Sequence, residues 1–238
     1  MKRQGFSAAL VSLTLCVIIA FASASKATAA GESQAAAGLK EALVTSTVEA
    51  VHLTGKPNGY FANPAIKIQL PQKLHLVDKG LRAVGYGPQL DQFVLSMNRA
   101  AEAAAPKAEP IFKNAITGMA FSDAQGIVSG GKHSATDYFK RKTSSELTAA
   151  FTPIVKSTMA QYSVTKQYDD LMGKYQSGPL AMGGMFGGAT QKLDITSYVV
   201  QKSLDGLFFV VGQEEEKIRT NPAAQITPLL KQVFGGLR

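Results

Sequence analysis

The stretch Leu204-Asp205-Gly206-Leu207-Phe208-Phe209-Val210-Val211 decides the class of fold. It lies inside a longer segment that opens at Asp194, a residue type suited to capping free backbone N–H groups, and closes before Asn221-Pro222. Over that segment Val200, Leu204, Leu207, Val211 and Ile218 fall within roughly 60° of arc at the 100° advance of an α-helix. Phe208, Phe209 and Val210 carry the apolar surface around the rest of its middle. A helix that is apolar on all sides belongs inside a protein, so the expected fold is all-α, a multi-helix bundle built around this element. Gly206, in its interior, costs roughly 1 kcal/mol against alanine, and close approach of a neighbouring helix is the expected reason. Glu214, Glu215 and Glu216 follow one another about 100° apart, so they do not converge on a cation and are expected to form a solvated helix end.

The same period recurs on either side. Downstream, Ile226, Leu229, Leu230 and Val233 mark a last amphipathic piece. Upstream, residues 177–190 are glycine-rich, too much so for a helix, and read as a flexible connector. Its Leu180, Met182, Met185 and Phe186 leave a membrane-touching loop as the alternative. Further upstream, helices are expected from Leu39 to Leu53, from Gln72 to Val84 with a glycine cap at Gly85, and from Pro88 to Pro106 with Leu90, Val94, Met97, Ala101 and Ala104 on one face. Others are expected from Pro110 to Met119, Asp123 to Val128, Ala135 to Lys142, Ser145 to Tyr162 and Lys166 to Tyr175. Ser122 with Gln125, and Ser134 with Asp137, have capping-box spacing. After the turn-rich Gly55-Lys56-Pro57-Asn58-Gly59, residues 64–71 alternate Ile66, Ile68 and Leu70 with polar neighbours. With no second strand nearby, this is one short extended segment packed on helices. Residues 39–238 thus read as a single helical domain, preceded by a flexible segment at 25–38.

The first residues have the order of a signal peptide. Lys2 and Arg3 precede an apolar run from Phe6 to Ala22, which ends in Ala22-Ser23-Ala24; a second such pattern is Ala27-Thr28-Ala29. Cleavage is expected before Ser25 or Ala30, and the exported chain is expected in the periplasm. Cys16 is the only cysteine and lies in this run, so the mature chain has no disulfide, thiolate metal site or thiol nucleophile. The formal charge of +8 falls to +6 when Lys2 and Arg3 leave with the leader. A basic envelope protein is weakly attracted to anionic membrane and cell-wall polymers. Nucleic acid is not an expected partner, because the densest basic cluster is only Lys140-Arg141-Lys142.

Catalytic motifs are sparse. The three histidines, His52, His75 and His133, have no metal-binding spacing, and no Gly-x-Ser-x-Gly elbow occurs. No cofactor is expected. Several polar residues instead sit among apolar ones: Asn98, Arg99 and Glu102 on one predicted helix, Asp123 beside Phe121 and Ala124, and Asp205 beside Leu204 and Leu207. Carboxylates so placed need cations, and Arg99, Arg141 and Arg219 are the available forks; structural salt bridging is expected ahead of ligand binding, and a surface ion pair of Arg99 with Glu102 is the plainer reading of that pair. Asn98, Arg99, Glu102, Asp123, Arg141 and Asp205 are therefore the candidate residues for binding a partner or ligand.

Six phrases carry a family likeness: Gly55-Lys56-Pro57-Asn58-Gly59-Tyr60, Leu95-Ser96-Met97-Asn98-Arg99-Ala100-Ala101-Glu102-Ala103-Ala104, Pro110-Ile111-Phe112, Asp123-Ala124, Ala135-Thr136-Asp137-Tyr138-Phe139 and Leu204-Asp205-Gly206-Leu207-Phe208. In this order, from about Leu39 to about Phe234, the chain resembles the bacterial domain of unknown function 4197. The resemblance implies an exported helical protein and brings no activity or catalytic residue with it. The expected function is a non-enzymatic envelope protein that binds a protein partner or an amphipathic ligand. The alternatives are a hydrolase or transferase using a carboxylate pair such as Glu102 and Asp123, and membrane-surface binding through the glycine-rich loop.

Overall fold

Two long helices form the spine of the molecule. In the computed structural model, which describes residues 36–177 and 194–220, α1 occupies 36–55, followed by α2 (His75–Ala83), α3 (Gly87–Ala104), α4 (Ala108–Thr117), α5 (Phe121–Ser129), α6 (Ser134–Gln161), α7 (Val164–Ser177) and α8 (Ile195–Thr220). Short 3-10 turns at Gln72–Leu74 and Ala105–Lys107 lead into α2 and α4. Among the described residues there is no strand. The fold is an all-α bundle.

The spine is α6 against α8. Thr136, near the start of α6, bonds Glu215 near the end of α8, while Thr152 and Thr196 line one groove further along, so the pair runs antiparallel. Around it, α3, α4, α5 and α7 all pack on α6, and α3 also touches α8. Phe112 of α4 joins the spine at its centre, 5.2 Å from Phe139 and 6.2 Å from Phe208 between ring centroids. Phe93 of α3 stacks on Tyr168 of α7 at 6.2 Å. The buried apolar side chains form one continuous cluster, with Leu39, Leu43 and Val51 of α1 among them.

The predicted apolar faces are mostly the buried ones, although Val84, at the end of α2, is exposed where the helical spacing put it inside. Leu90, Val94, Met97, Ala101 and Ala104 all point inward from α3, and Gly85 takes the left-handed conformation, φ +93°, that ends α2. Asp194 caps α8: its Oδ1 accepts the Ser197 amide at 3.0 Å and its Oδ2 the Ser197 hydroxyl at 2.6 Å. Those bonds hold its carboxyl below the usual aspartate range.

Three local expectations are corrected. The break expected between Lys142 and Ser145 is absent, because α6 runs unbroken for 28 residues. Thr143 and Ser144 stay helical by donating their hydroxyls to the carbonyls of Phe139 and Lys140, and the buried stripe Phe139, Leu147, Phe151, Val155, Met159 continues past Pro153. Neither predicted capping box forms. Ala120 and His133 are the N-cap residues of α5 and α6, with no side-chain cap bond, and the Ser134 hydroxyl instead donates to carbonyls of the preceding turn. Finally, residues 36–38, assigned to a flexible segment, are already helical; their small side chains give no apolar period to read. The expected signal peptide, the glycine-rich stretch from 178 onward and the piece carrying Ile226 to Val233 lie outside the described residues. No described helix is long and apolar enough to cross a membrane.

Candidate functional site

Three of the six candidate residues meet at one place, the turn and extended segment between α1 and α2. Asn98 acts as a strand would: its Oδ1 accepts the Ile68 amide at 2.9 Å, and its Nδ2 donates to the Ile68 carbonyl at 2.9 Å and to Val94 at 2.8 Å. This satisfies an extended backbone that has no sheet. One turn along α3, Glu102 Oε1 accepts the amides of Tyr60 at 3.2 Å and Phe61 at 3.1 Å. Its Oε2 pairs with Arg99 Nη1, and Arg99 Nη2 donates at 2.8 Å to Asn58 Oδ1. Asn58 itself is left-handed, φ 67°.

The loop is fastened to α8 as well. The Tyr60 hydroxyl donates to the Ser203 carbonyl at 2.6 Å; burial first, then the charges of Glu102 and Asp205, push its pKa far above the usual tyrosine range. It is a permanent donor. A Cβ on Gly206 would lie 2.6 Å from Tyr60 Cε1 and 3.1 Å from Ile66 Cβ. The glycine therefore answers to this loop, not to a neighbouring helix as the sequence suggested.

The other three candidates lie apart from this lock. Asp123 is partly exposed at the start of α5, where its charge adds to burial in raising the Tyr138 pKa. Arg141 is exposed on α6. Asp205 faces solvent, its side chain 55% accessible, and pairs with Lys202 at 3.1 Å; the apolar setting inferred from Leu204 and Leu207 is that of its neighbours, which are buried while it is not. Glu102 and Asp123 share no hydrogen-bond network among the described residues.

The acidic triplet also departs from expectation. Glu216 is partly exposed, but Glu214 and Glu215 are buried. Glu215 reaches across to the start of α6, where Oε1 accepts the Ala135 amide and Oε2 the Thr136 amide, both at 2.9 Å. Arg219 donates back to Glu215 Oε1 from Nε at 3.0 Å and Nη2 at 2.9 Å, and also reaches the Ile127 carbonyl and the Ser134 hydroxyl, each at 2.8 Å. A carboxylate here sits at the positive end of the α6 dipole. It is the cap that α6 lacks locally.

One concave surface stands open between α6 and α8. It is a groove of about 650 Å³ with two unlike walls. Val200, Leu204, Phe208 and Phe209, edged by Thr196, Ser197, Gln201 and Asp205, form the α8 wall; Lys140, Ser144, Thr148 and Thr152, one turn apart, form the α6 wall. The hydroxyls of Ser144, Thr148 and Thr152 donate to the carbonyls of Lys140, Ser144 and Thr148 at 2.6–2.7 Å. Their protons are thereby occupied, leaving acceptor oxygens, and the threonine methyls, on that wall. Phe209, expected to be enclosed, is 46% exposed and lines the groove.

The family model described as Protein of unknown function (DUF4197) matches residues 29–235. The chain belongs to the DUF4197 family. No curated protein and no solved structure matches it. In this DUF4197 chain, three of the phrases that carried the resemblance converge on the Tyr60 lock: the turn 55–60, the α3 stretch around Asn98 to Glu102, and Leu204-Asp205-Gly206. The residues missed by sequence reasoning are Glu215 and Phe209. For Glu215 the available sign was the Glu215/Arg219 spacing of one helix turn; for Phe209 it was an apolar residue in excess of what one buried stripe requires.

Proposed function

We propose that this DUF4197 protein is an exported, non-enzymatic protein of the cell envelope that binds an amphipathic ligand in the groove between α6 and α8. The observation that carries the reading is the groove itself, whose volume of about 650 Å³ lies in the range of small-molecule sites, roughly 300–1,000 Å³. A half-exposed phenylalanine on one wall and acceptor oxygens on the other suit a ligand with an apolar body. Binding is favoured over catalysis because the α6 hydroxyls of Ser144, Thr148 and Thr152 are donated to their own helix, and the Asp194 carboxylate that holds the Ser197 hydroxyl also accepts the Ser197 amide as the cap of α8. The buried carboxylates Glu102 and Glu215 have both oxygens engaged in the fold's own bonds.

The chain has no tryptophan, so Phe209→Trp places a single indole in the groove. Titrating this variant with dodecyl maltoside below its micelle concentration is expected to give a saturable blue shift of emission. Adding Thr148→Phe, which fills the opposite wall, is expected to abolish it. A shift that never saturates, or that survives Thr148→Phe, overturns the reading.

Export rests on the positive start, apolar run and A-x-A patterns of the first thirty residues. Expressed in a bacterium with an outer membrane, the full chain is expected in the periplasmic fraction with Ser25 or Ala30 at its N-terminus. Recovery from the cytoplasm with Met1 retained would reject this part.

A further inference from the structure

We infer that the groove takes a single-chain amphiphile with an anionic head, the chain lying along the α8 wall and the head on Lys140. This rests on the groove being a ligand site, and adds to it the ligand's class and direction. Length comes first. From Lys140 to Thr152 the α6 wall extends about 18 Å at 1.5 Å per residue, close to one leaflet's share of a hydrocarbon core about 30 Å thick.

Polarity then selects the body. Val200, Leu204, Phe208 and Phe209 give an apolar strip along α8, edged by the polar Thr196, Ser197, Gln201 and Asp205, and the facing hydroxyls have donated their protons inward. A sugar polymer needs donors and acceptors paired all along its length, whereas here the α6 hydroxyls offer acceptors alone and the polar side chains of α8 are confined to one edge of its apolar strip. An acyl or alkyl chain needs neither and gains about 25 cal/mol for each Å² of apolar surface taken out of water.

Charge orients it. Two ionisable groups line the groove, Lys140 and Asp205. Asp205 is neutralised by Lys202 at 3.1 Å. Lys140 is exposed, and no ion pair among the described residues includes it. The same end of the groove carries Arg141 and Lys142 next in sequence, both exposed, with Asp137 the one acid a turn away on α6. At the far end Ser197 is occupied with Asp194. The positive charge that an anionic head needs is therefore at the Lys140 and Phe209 end of the groove.

The test compares three amphiphiles of one chain length, dodecyl phosphate, dodecyl maltoside and dodecyltrimethylammonium, each below its micelle concentration and titrated calorimetrically into the unmodified chain and into Lys140→Glu. The expected result is that dodecyl phosphate binds most tightly, that Lys140→Glu weakens it about threefold to tenfold, in keeping with an exposed charge contact, and that dodecyl maltoside is unaffected. The preference should shrink in high salt. Equal affinity for all three heads, unchanged by Lys140→Glu, overturns the headgroup assignment while leaving the groove as a site. Binding that is insensitive to Thr148→Phe overturns both.

Discussion

Replacing Glu215 with alanine is expected to cost about 3–5 kcal/mol of stability, the range seen when one partner of a buried ion pair is removed. The side chain is 4% exposed and accepts from two backbone amides of α6, the Thr136 hydroxyl and the Arg219 guanidinium. Alanine would leave two amides of the first turn of α6 without acceptors and Arg219, itself 10% exposed, without its carboxylate. Because α6 is packed by most of the bundle, loosening its start is felt widely. Urea unfolding is the measurement, with the slope unchanged and the midpoint lowered. Glu216→Ala is the matched control. That residue is 44% accessible and pairs with Lys132 only at 3.4 Å, so its loss should fall within about 0.5 kcal/mol. Equal effects from the two substitutions would show that Glu215 is not the α6 cap.

The contrast between these neighbouring acids explains how far the sequence could be read. Apolar periodicity is a local property, so it located the helices and their inward faces: the α3 stripe from Leu90 to Ala104 and the Asp194 cap needed only residues a turn apart. Ion pairs across the bundle are not local. Nothing within four residues of Glu215 reveals that Ala135 and Thr136 lie against it, and a run of three acids looks like a solvated end unless that contact is known. For the polar residues of α3, the company that Asn98 and Glu102 keep, among alanines and leucines, pointed to a covered face but left a surface pair of Arg99 with Glu102 equally open. Their partners, Ile68 and the amides of Tyr60 and Phe61 some 30–42 residues away, were not legible. The same limit applies to the groove: it is made by Ser144, Thr148 and Thr152 meeting α8 across about fifty residues of chain, and only the surplus Phe209 hinted at it.

Glu102→Ala should cost about 3 kcal/mol, since it removes one member of a buried pair and the acceptor of two amides. Alanine suits the interior of α3, so the helix itself is not what fails. The turn 56–61 loses its anchor, with Arg99 left bonded only to Asn58 Oδ1. Arg99 is 27% accessible on its side chain, so Arg99→Ala alone should cost less, and in the Glu102→Ala background less again, because the unpaired cation goes with it. Hydrogen exchange places the damage: the Tyr60 and Phe61 amides should lose protection while those of Ala135 and Thr136 keep theirs. Gly206 of the lock and Glu215 of the cap are nine residues apart on α8, about 13 Å, far enough for Glu102→Ala and Glu215→Ala to add in free energy. A double variant markedly more stable than that sum would mean the lock and the cap are one cooperative network. Retained protection at Tyr60 and Phe61 after Glu102→Ala would mean that the Tyr60 bond to α8 and the fit against Gly206 hold the loop without the carboxylate.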